Sequence, residues 1–176
     1  TWCIDPEKIE AHLSPRTRAI VPVHLYGQPA DMTAITALAR RHGLHVVEDC
    51  AEALGARVGH QRVGAIGDVG CFSFFANKIM TTGEGGMCVC NDAALADRMR
   101  TLRDHGMSRD RKYWHETVGF NYRMTNLQAA IGVAQLENID HLLKIRDRIR
   151  RRYDEKLSSL GLLTPPGRRL GAHSVT

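Results

Sequence analysis

Apolar residues along the chain follow two periods. Arg18-Ala-Ile-Val-Pro-Val-His24 is a short apolar run ending in Leu-Tyr-Gly, the pattern of a strand and its exit turn. Asp31 stands where it caps a helix over residues 32–41, with Ile35, Leu38 and Ala39 on one face and Gly43 at C′. Leu44-His-Val-Val-Glu48 then predicts a second strand. Strand, helix and strand in so short a stretch make a βαβ unit, which implies parallel strands and a right-handed crossover.

Further along, Gly59-His60 predicts a hairpin turn within residues 56–62, and residues 69–75 and 87–90 predict two more strands. Asn91-Asp92 caps a helix over residues 93–104, which Gly106 ends. Residues 107–122 are polar and aromatic without a period, and so long a loop is more often functional than idle. From the N-cap pair Thr125-Asn126 the pattern is helical to about residue 160, as two helices broken near Asn138. Pro165-Pro166-Gly167 predicts a linker. The fold class is α/β, turning all-helical near the end.

Composition narrows the setting. A chain of 176 residues suits one domain or part of a larger one. It opens on Thr1-Trp-Cys-Ile-Asp-Pro6 and stops on Gly171-Ala-His-Ser-Val-Thr176, so we expect an internal fragment. No leader pattern and no apolar run of membrane-spanning length is present, so no membrane partner is expected. The five cysteines are odd in number and lack a CxxC pair; Cys88 and Cys90 share one face of a strand. No metal site is expected, and a reducing cytoplasm is. The net charge of +5 lies largely in Arg146-Asp-Arg-Ile-Arg-Arg-Arg152, where acids interleave with arginines. On a helix this gives i,i+4 pairs and a solvated face, so no nucleic-acid partner is expected. A non-catalytic interaction module using that basic helix is the alternative from a different class.

The candidate chemistry begins at Lys78, which follows Cys71-Phe-Ser-Phe-Phe-Ala-Asn. Taken alone, it is either a snorkelling surface lysine or a desolvated amine able to form a Schiff base. Asp49 falls at the carboxyl end of a neighbouring parallel strand, where ligands of α/β sheets collect. The two are either a structural ion pair or an acid and an amine with separate tasks. Ser73, Thr81, Thr82 and Gly83 add hydroxyls and amides of the kind a phosphate needs. Walker spacing is absent, and Gly64, Gly67 and Gly70 do not make a dinucleotide fingerprint. Pyridoxal phosphate, which needs a lysine, a carboxylate for its ring nitrogen and phosphate donors, fits better. His24 and His105 end predicted elements, as caps or turn residues or as substrate contacts, and Tyr113 and Trp114 either line a substrate mouth or pack the long loop.

Five segments carry a resemblance over nearly the whole chain, in order: Val23-His-Leu-Tyr-Gly-Gln-Pro-Ala-Asp-Met32, Glu48-Asp-Cys-Ala-Glu-Ala-Leu-Gly55, Cys71-Phe-Ser-Phe-Phe-Ala-Asn-Lys78, Thr82-Gly-Glu-Gly-Gly86 and Gly119-Phe-Asn-Tyr-Arg-Met-Thr-Asn126. Together they resemble the sugar aminotransferases of the DegT/DnrJ/StrS class, including the perosamine-synthase type. The resemblance implies an aspartate-aminotransferase-like fold of pyridoxal-phosphate type I. Residues 1–138 would form part of its large, cofactor-binding domain, and residues 139–176 the connecting helix and the start of a truncated small domain. It makes Lys78 the catalytic Schiff-base lysine that also moves the substrate proton. Asp49 would pair with the ring nitrogen, Ser73 with the phosphate, and Asn121 with the phosphate bound by the partner subunit. Glu52 stands where many members carry glutamine, near the cofactor's ring oxygen; otherwise it is a surface glutamate on a helix after Asp49. Lysine at position 78, where related sugar dehydratases have histidine, implies a transferase. The implied reaction moves an amino group from glutamate to a nucleotide-linked keto-sugar, such as a 4-keto-6-deoxy sugar for polysaccharide biosynthesis, in a cytoplasmic homodimer with shared active sites. Cyclitol and aminobenzoate relatives share these motifs. The class also uses segments outside residues 1–176, so the isolated fragment is expected to bind cofactor weakly and not to turn over.

Overall fold

The computed structural model describes residues 1–161 and 171–175, so the Pro165-Pro166-Gly167 linker lies outside the described residues. A short helix α1 (Pro6–Ile9) leads to β1 (Ala19–Ile20). Helix α2 (Met32–His42) follows, capped by the Asp31 carboxylate on the Ala34 amide and ended by Gly43 at φ +62°. Then come β2 (His45–Asp49), the hairpin β3 (Arg57–Val58) and β4 (Gln61–Arg62), β5 (Val69–Ser73) and β6 (Gly86–Val89). The chain continues through α3 (Ala93–Arg103), α4 (Asn126–Glu137), α5 (Ile139–Leu157) and β7 (Ala172–His173).

The main sheet has the order β1-β2-β5-β6, parallel except for the antiparallel edge β6. The parallel β1–α2–β2 unit expected from the periodicity is present. Its first strand is shorter than the apolar run, because Pro22 has no amide to give a ladder. Pairing resumes only as an isolated Val23–Asp49 bridge. β5 also stops earlier than the apolar run, at Ser73, with the Phe74 amide still meeting the Gly85 carbonyl at 2.8 Å in the register of the β5–β6 ladder.

Side chains alternate across β2. Val46 and Glu48 point into the buried face, where Met32, Ile35, Leu38 and Ala39 of α2 pack with Ile20 and Ile9. Val47 and Asp49 point to the opposite face, which stays open alongside Val21, Cys71 and Ser73. A second core of Cys50, Ala53, Ala56 and Val63 lies under the hairpin, whose β3 also pairs with β7.

Helix α4 is inside-out. Thr125 and Gln128 form a capping box at its start. Its body-facing positions are Gln128, Gly132 and Gln135, while Leu127 is 80% exposed and Ile131, Val133 and Leu136 are exposed as well. The arginine-rich part of α5 forms the expected i,i+4 pairs Arg150–Asp154 and Arg151–Asp147, and Arg150 also reaches Asp147 three residues before it.

Candidate functional site

Chain geometry at the ends of β2 and β5 builds the site. Residue 49 pairs with residue 71 in the parallel register, so Asp49, Cys71 and, two residues on, Ser73 share the open face. Asp49 accepts the Ala51 amide on Oδ1 at 3.0 Å, and its Oδ2 accepts no hydrogen bond among the described residues. Ser73 Oγ accepts the Phe75 amide at 3.3 Å, which leaves its hydroxyl hydrogen to donate elsewhere.

Beyond Ser73 the chain makes a loop pinned at its neck by Phe74. The Phe74 carbonyl accepts the Thr82 amide at 2.9 Å and the Thr81 hydroxyl at 3.0 Å. The Thr82 hydroxyl donates to the Glu84 carbonyl at 2.7 Å. The threonines therefore close the loop and are not phosphate donors, contrary to the expectation from composition. Of that hydroxyl set, only Ser73 lines the cleft. Helix α4 clamps the same loop: the Gln135 amide group accepts the Thr81 amide at 3.0 Å and donates to the Thr81 carbonyl at 2.8 Å, and Gln128 donates to the Glu84 carbonyl at 3.1 Å. Gly132 allows this approach, since a Cβ there would sit 3.0 Å from Thr82 Cγ2.

Lys78 sits at the bend of this loop, half-buried, five residues past the strand end. Its ammonium makes no ion pair or hydrogen bond among the described residues. It faces an open cleft of about 190 Å³ shared with Glu52, Ser73, Asn77, Tyr26 and Arg146. A second concavity, lined by Asp49, Val21, Val47 and Cys71, has Ala51 and Ser73 in common with it. Lys78, Glu52 and Ser73 thus share one cleft, and Asp49 its continuation.

Asn121 is elsewhere. Its segment returns along the end of α3 through an Asp104–Asn121 bridge and the Phe120 amide on the Leu102 carbonyl, and it lines neither concavity. Glu52 lies in a turn and not on a helix, and its Oε2 accepts the Tyr26 amide at 2.7 Å. That bond holds Tyr26 in the left-handed region at φ +50°, an uncommon state for a bulky residue.

Under the site lies a buried pair that the periodicity did not reveal. His24 Nδ1 accepts the Ala30 amide at 3.1 Å, so Nε2 carries the proton and donates to Glu48 at 3.0 Å. The same carboxylate accepts the amides of Gly64 at 2.8 Å, Ile66 at 2.8 Å and Gly67 at 2.6 Å. Burial pushes the Glu48 carboxyl up, but His24 and the Gly67, Gly64 and Ile66 amides together hold it below its ordinary value. His24, Glu48 and Cys50 offer ligand atoms within 4.8 Å of one another. Both Glu48 oxygens already take two donors each, so the group is a structural network. Burial, together with the Cys88 thiol 3.9 Å away, pushes Cys71 up to about 11, so it stays a thiol near neutrality.

The residues present fit pyridoxal phosphate: an unpaired amine, a free hydroxyl donor and a carboxylate lie on one continuous concavity. Glu52 fits less well, since a carboxylate only accepts, whereas a ring oxygen calls for a donor. Tyr26, Asn77 and Arg146 were not among the residues expected in the cleft. The signal for Arg146 was its spacing: it follows Ile139 and Leu143 on one helix face.

Comparison with known proteins gives a consistent result. The model of the DegT/DnrJ/EryC1/StrS aminotransferase family matches residues 1–175. The chain is 56% identical over 161 residues to the GDP-perosamine synthase of Caulobacter vibrioides, covering 92% of this chain and 43% of that protein. It is 47% identical over 160 residues to the GDP-perosamine synthase of Escherichia coli O157:H7, covering 91% of this chain and 44% of that protein. Among solved structures, the sugar aminotransferase CalS13 from Micromonospora echinospora superposes with a TM-score of 0.91 at 33% identity, over 99% of this chain and 50% of that one. The chain therefore spans less than half the length of the curated relatives named here.

Proposed function

The chain belongs to the DegT/DnrJ/EryC1/StrS aminotransferase family, and on that premise we propose that the protein it comes from is a pyridoxal-phosphate-dependent aminotransferase that aminates a nucleotide-linked keto-sugar, with glutamate as donor. The observation that carries this reading is Lys78, a half-buried amine without a partner, sharing one cleft with the Ser73 hydroxyl and adjoining the Asp49 carboxylate.

In this reading Lys78 attaches the cofactor, Ser73 donates to its phosphate, Asp49 faces its ring nitrogen and Glu52 stands near its ring oxygen. The bound cofactor supplies an electron sink for the carbon that loses or gains the amino group. Lys78 Nζ, once released, must be neutral to take that proton and return it. The loop neck at Phe74 and the Gln135 clamp hold Nζ in place while it does so.

The same reading makes the enzyme a homodimer. Asn121 is exposed and outside its own cleft, as befits a residue serving a partner's phosphate. The outward apolar side of α4 offers a surface for the second copy. Residues 1–138 belong to the cofactor-binding domain and residues 139–176 lead into the small one. Five free cysteines support a cytoplasmic setting; among the described residues no helix is long and apolar enough to cross a membrane.

The test uses the full-length protein carrying this segment. Incubation with pyridoxal phosphate, borohydride reduction and peptide mass spectrometry should find the cofactor on Lys78. Lys78→Ala should lose the adduct and slow amination of a panel of keto-sugar nucleotides by about a thousandfold or more. Unchanged cofactor labelling and amination in Lys78→Ala would sink the reading.

A further inference from the structure

Arg146 is the cation of the cleft that the proposed chemistry leaves without a task. On α5 Ile139, Leu143, Arg146 and Arg150 follow the spacing of one helix face, with Leu143 half-buried and Arg146 exposed at the rim of the cleft. Leu143 rests on Gly55, where an added Cβ would come within 2.7 Å of Leu143 Cδ1. Gly55 at φ +92° therefore lets α5 lie against the loop that follows Asp49, and this contact brings Arg146 to the cleft.

Two of the arginines that follow Arg146 on the helix are occupied. Arg150 holds Asp147 at 2.8 Å and Asp154 at 2.6 Å, and Arg151 holds Asp147 at 2.8 Å. Arg146 makes no hydrogen bond or ion pair among the described residues, yet it lines the cleft with Lys78, Asn77 and Ser73. An unpartnered guanidinium at the cleft favours an incoming anion. A guanidinium presents a planar fork that matches a carboxylate.

We propose that Arg146 binds a carboxylate of the amino donor. The inference rests on the aminotransferase reading and adds to it the residue that selects an acidic donor. Reach favours the donor over the sugar nucleotide: Arg146 lines the same open cleft as Lys78, whereas the diphosphate of the acceptor stands a full sugar ring away from the carbon that must reach Lys78.

The test compares four full-length holoenzymes: wild type, Arg146→Leu, Arg146→Lys and, as a charge-matched control, Arg148→Leu, which alters an arginine outside the cleft. Calorimetry with glutarate, a dicarboxylate without an amine to react, reads the site independently of turnover. Arg146→Leu should weaken glutarate binding by about ten- to a hundredfold, the range for charge-assisted hydrogen bonds. Arg146→Lys should recover part of that loss, and Arg148→Leu should match wild type. The half-reaction with glutamate should lose the same factor in apparent affinity, while the half-reaction with the keto-sugar nucleotide should not change.

Equal glutarate affinity in wild type and Arg146→Leu overturns the inference, as does no glutarate binding by wild type. Equal losses in both half-reactions, or a loss confined to the keto-sugar nucleotide, overturn it too. Arg146-dependent glutarate binding in a protein that aminates nothing would leave the carboxylate site standing and remove the aminotransferase reading. Amination with Arg146-independent donor binding would do the reverse.

Discussion

Glu48 shows how much one buried side chain organises. Its carboxylate joins the end of β2 to the exit of β1 through His24 and to the loop before β5 through three amides. Asp49, the next residue, then emerges on the opposite face at a fixed place. Because the folded-state carboxyl is held below its ordinary value of 4.5, its contribution is fully present above that pH. It is lost as pH falls through the lower folded value. Glu48→Gln puts an NH2 among groups that only donate, so it should cost about 3 kcal/mol at pH 7 in urea unfolding. The gap from wild type should narrow below pH 4.5, since acid then removes the same charge from wild type. A gap that stays constant with pH would rule out this linkage. His24 and Glu48 lay in segments whose resemblance was plain, but their pairing was not legible. Nothing in strand periodicity says which buried polar residues 24 positions apart will meet.

At the scale of elements, the loop bearing Lys78 owes its shape to α4. Gln135 replaces backbone partners for both the amide and the carbonyl of Thr81. Gln135→Ala should therefore leave the helix intact and loosen the loop by about 1–2 kcal/mol. Hydrogen exchange at the Thr81 amide should quicken by about five- to thirtyfold, whereas unchanged exchange would mean that Phe74 alone holds the loop. The helix itself was legible from its Thr125 cap and its length. Its orientation was not, because an apolar helix with glutamines inward contradicts the usual rule for which face is buried. The β1 run was over-read for the opposite reason: hydrophobicity continued through Pro22, but the ladder could not.

Across the described residues as a whole, the open side of the sheet and the outward side of α4 leave apolar surface uncovered. Leu127 is 80% exposed and Val133 58%, and patches of this kind mark surfaces that bind something. On the proposed homodimer, with the second copy seated on α4, Ile131→Glu in the full-length protein should weaken self-association by about tenfold or more, seen as a shift toward monomer in light scattering at micromolar concentration. A dimer of unchanged stability would place the second copy elsewhere.

The sequence by itself determined the local elements and the chemical inventory. Caps, turns and the two periods depend on neighbours within a few residues, and the five linked motifs brought the family resemblance with Lys78, Asp49 and Ser73. Tertiary structure decided which of these residues share a surface. Parallel register set Asp49 beside Cys71 and Ser73, the Phe74 neck withdrew Thr81 and Thr82, and Leu143 on Gly55 brought Arg146 to the cleft. These outcomes depend on contacts between residues far apart in the chain, and packing and hydrogen-bond satisfaction select them only once the chain has closed on itself.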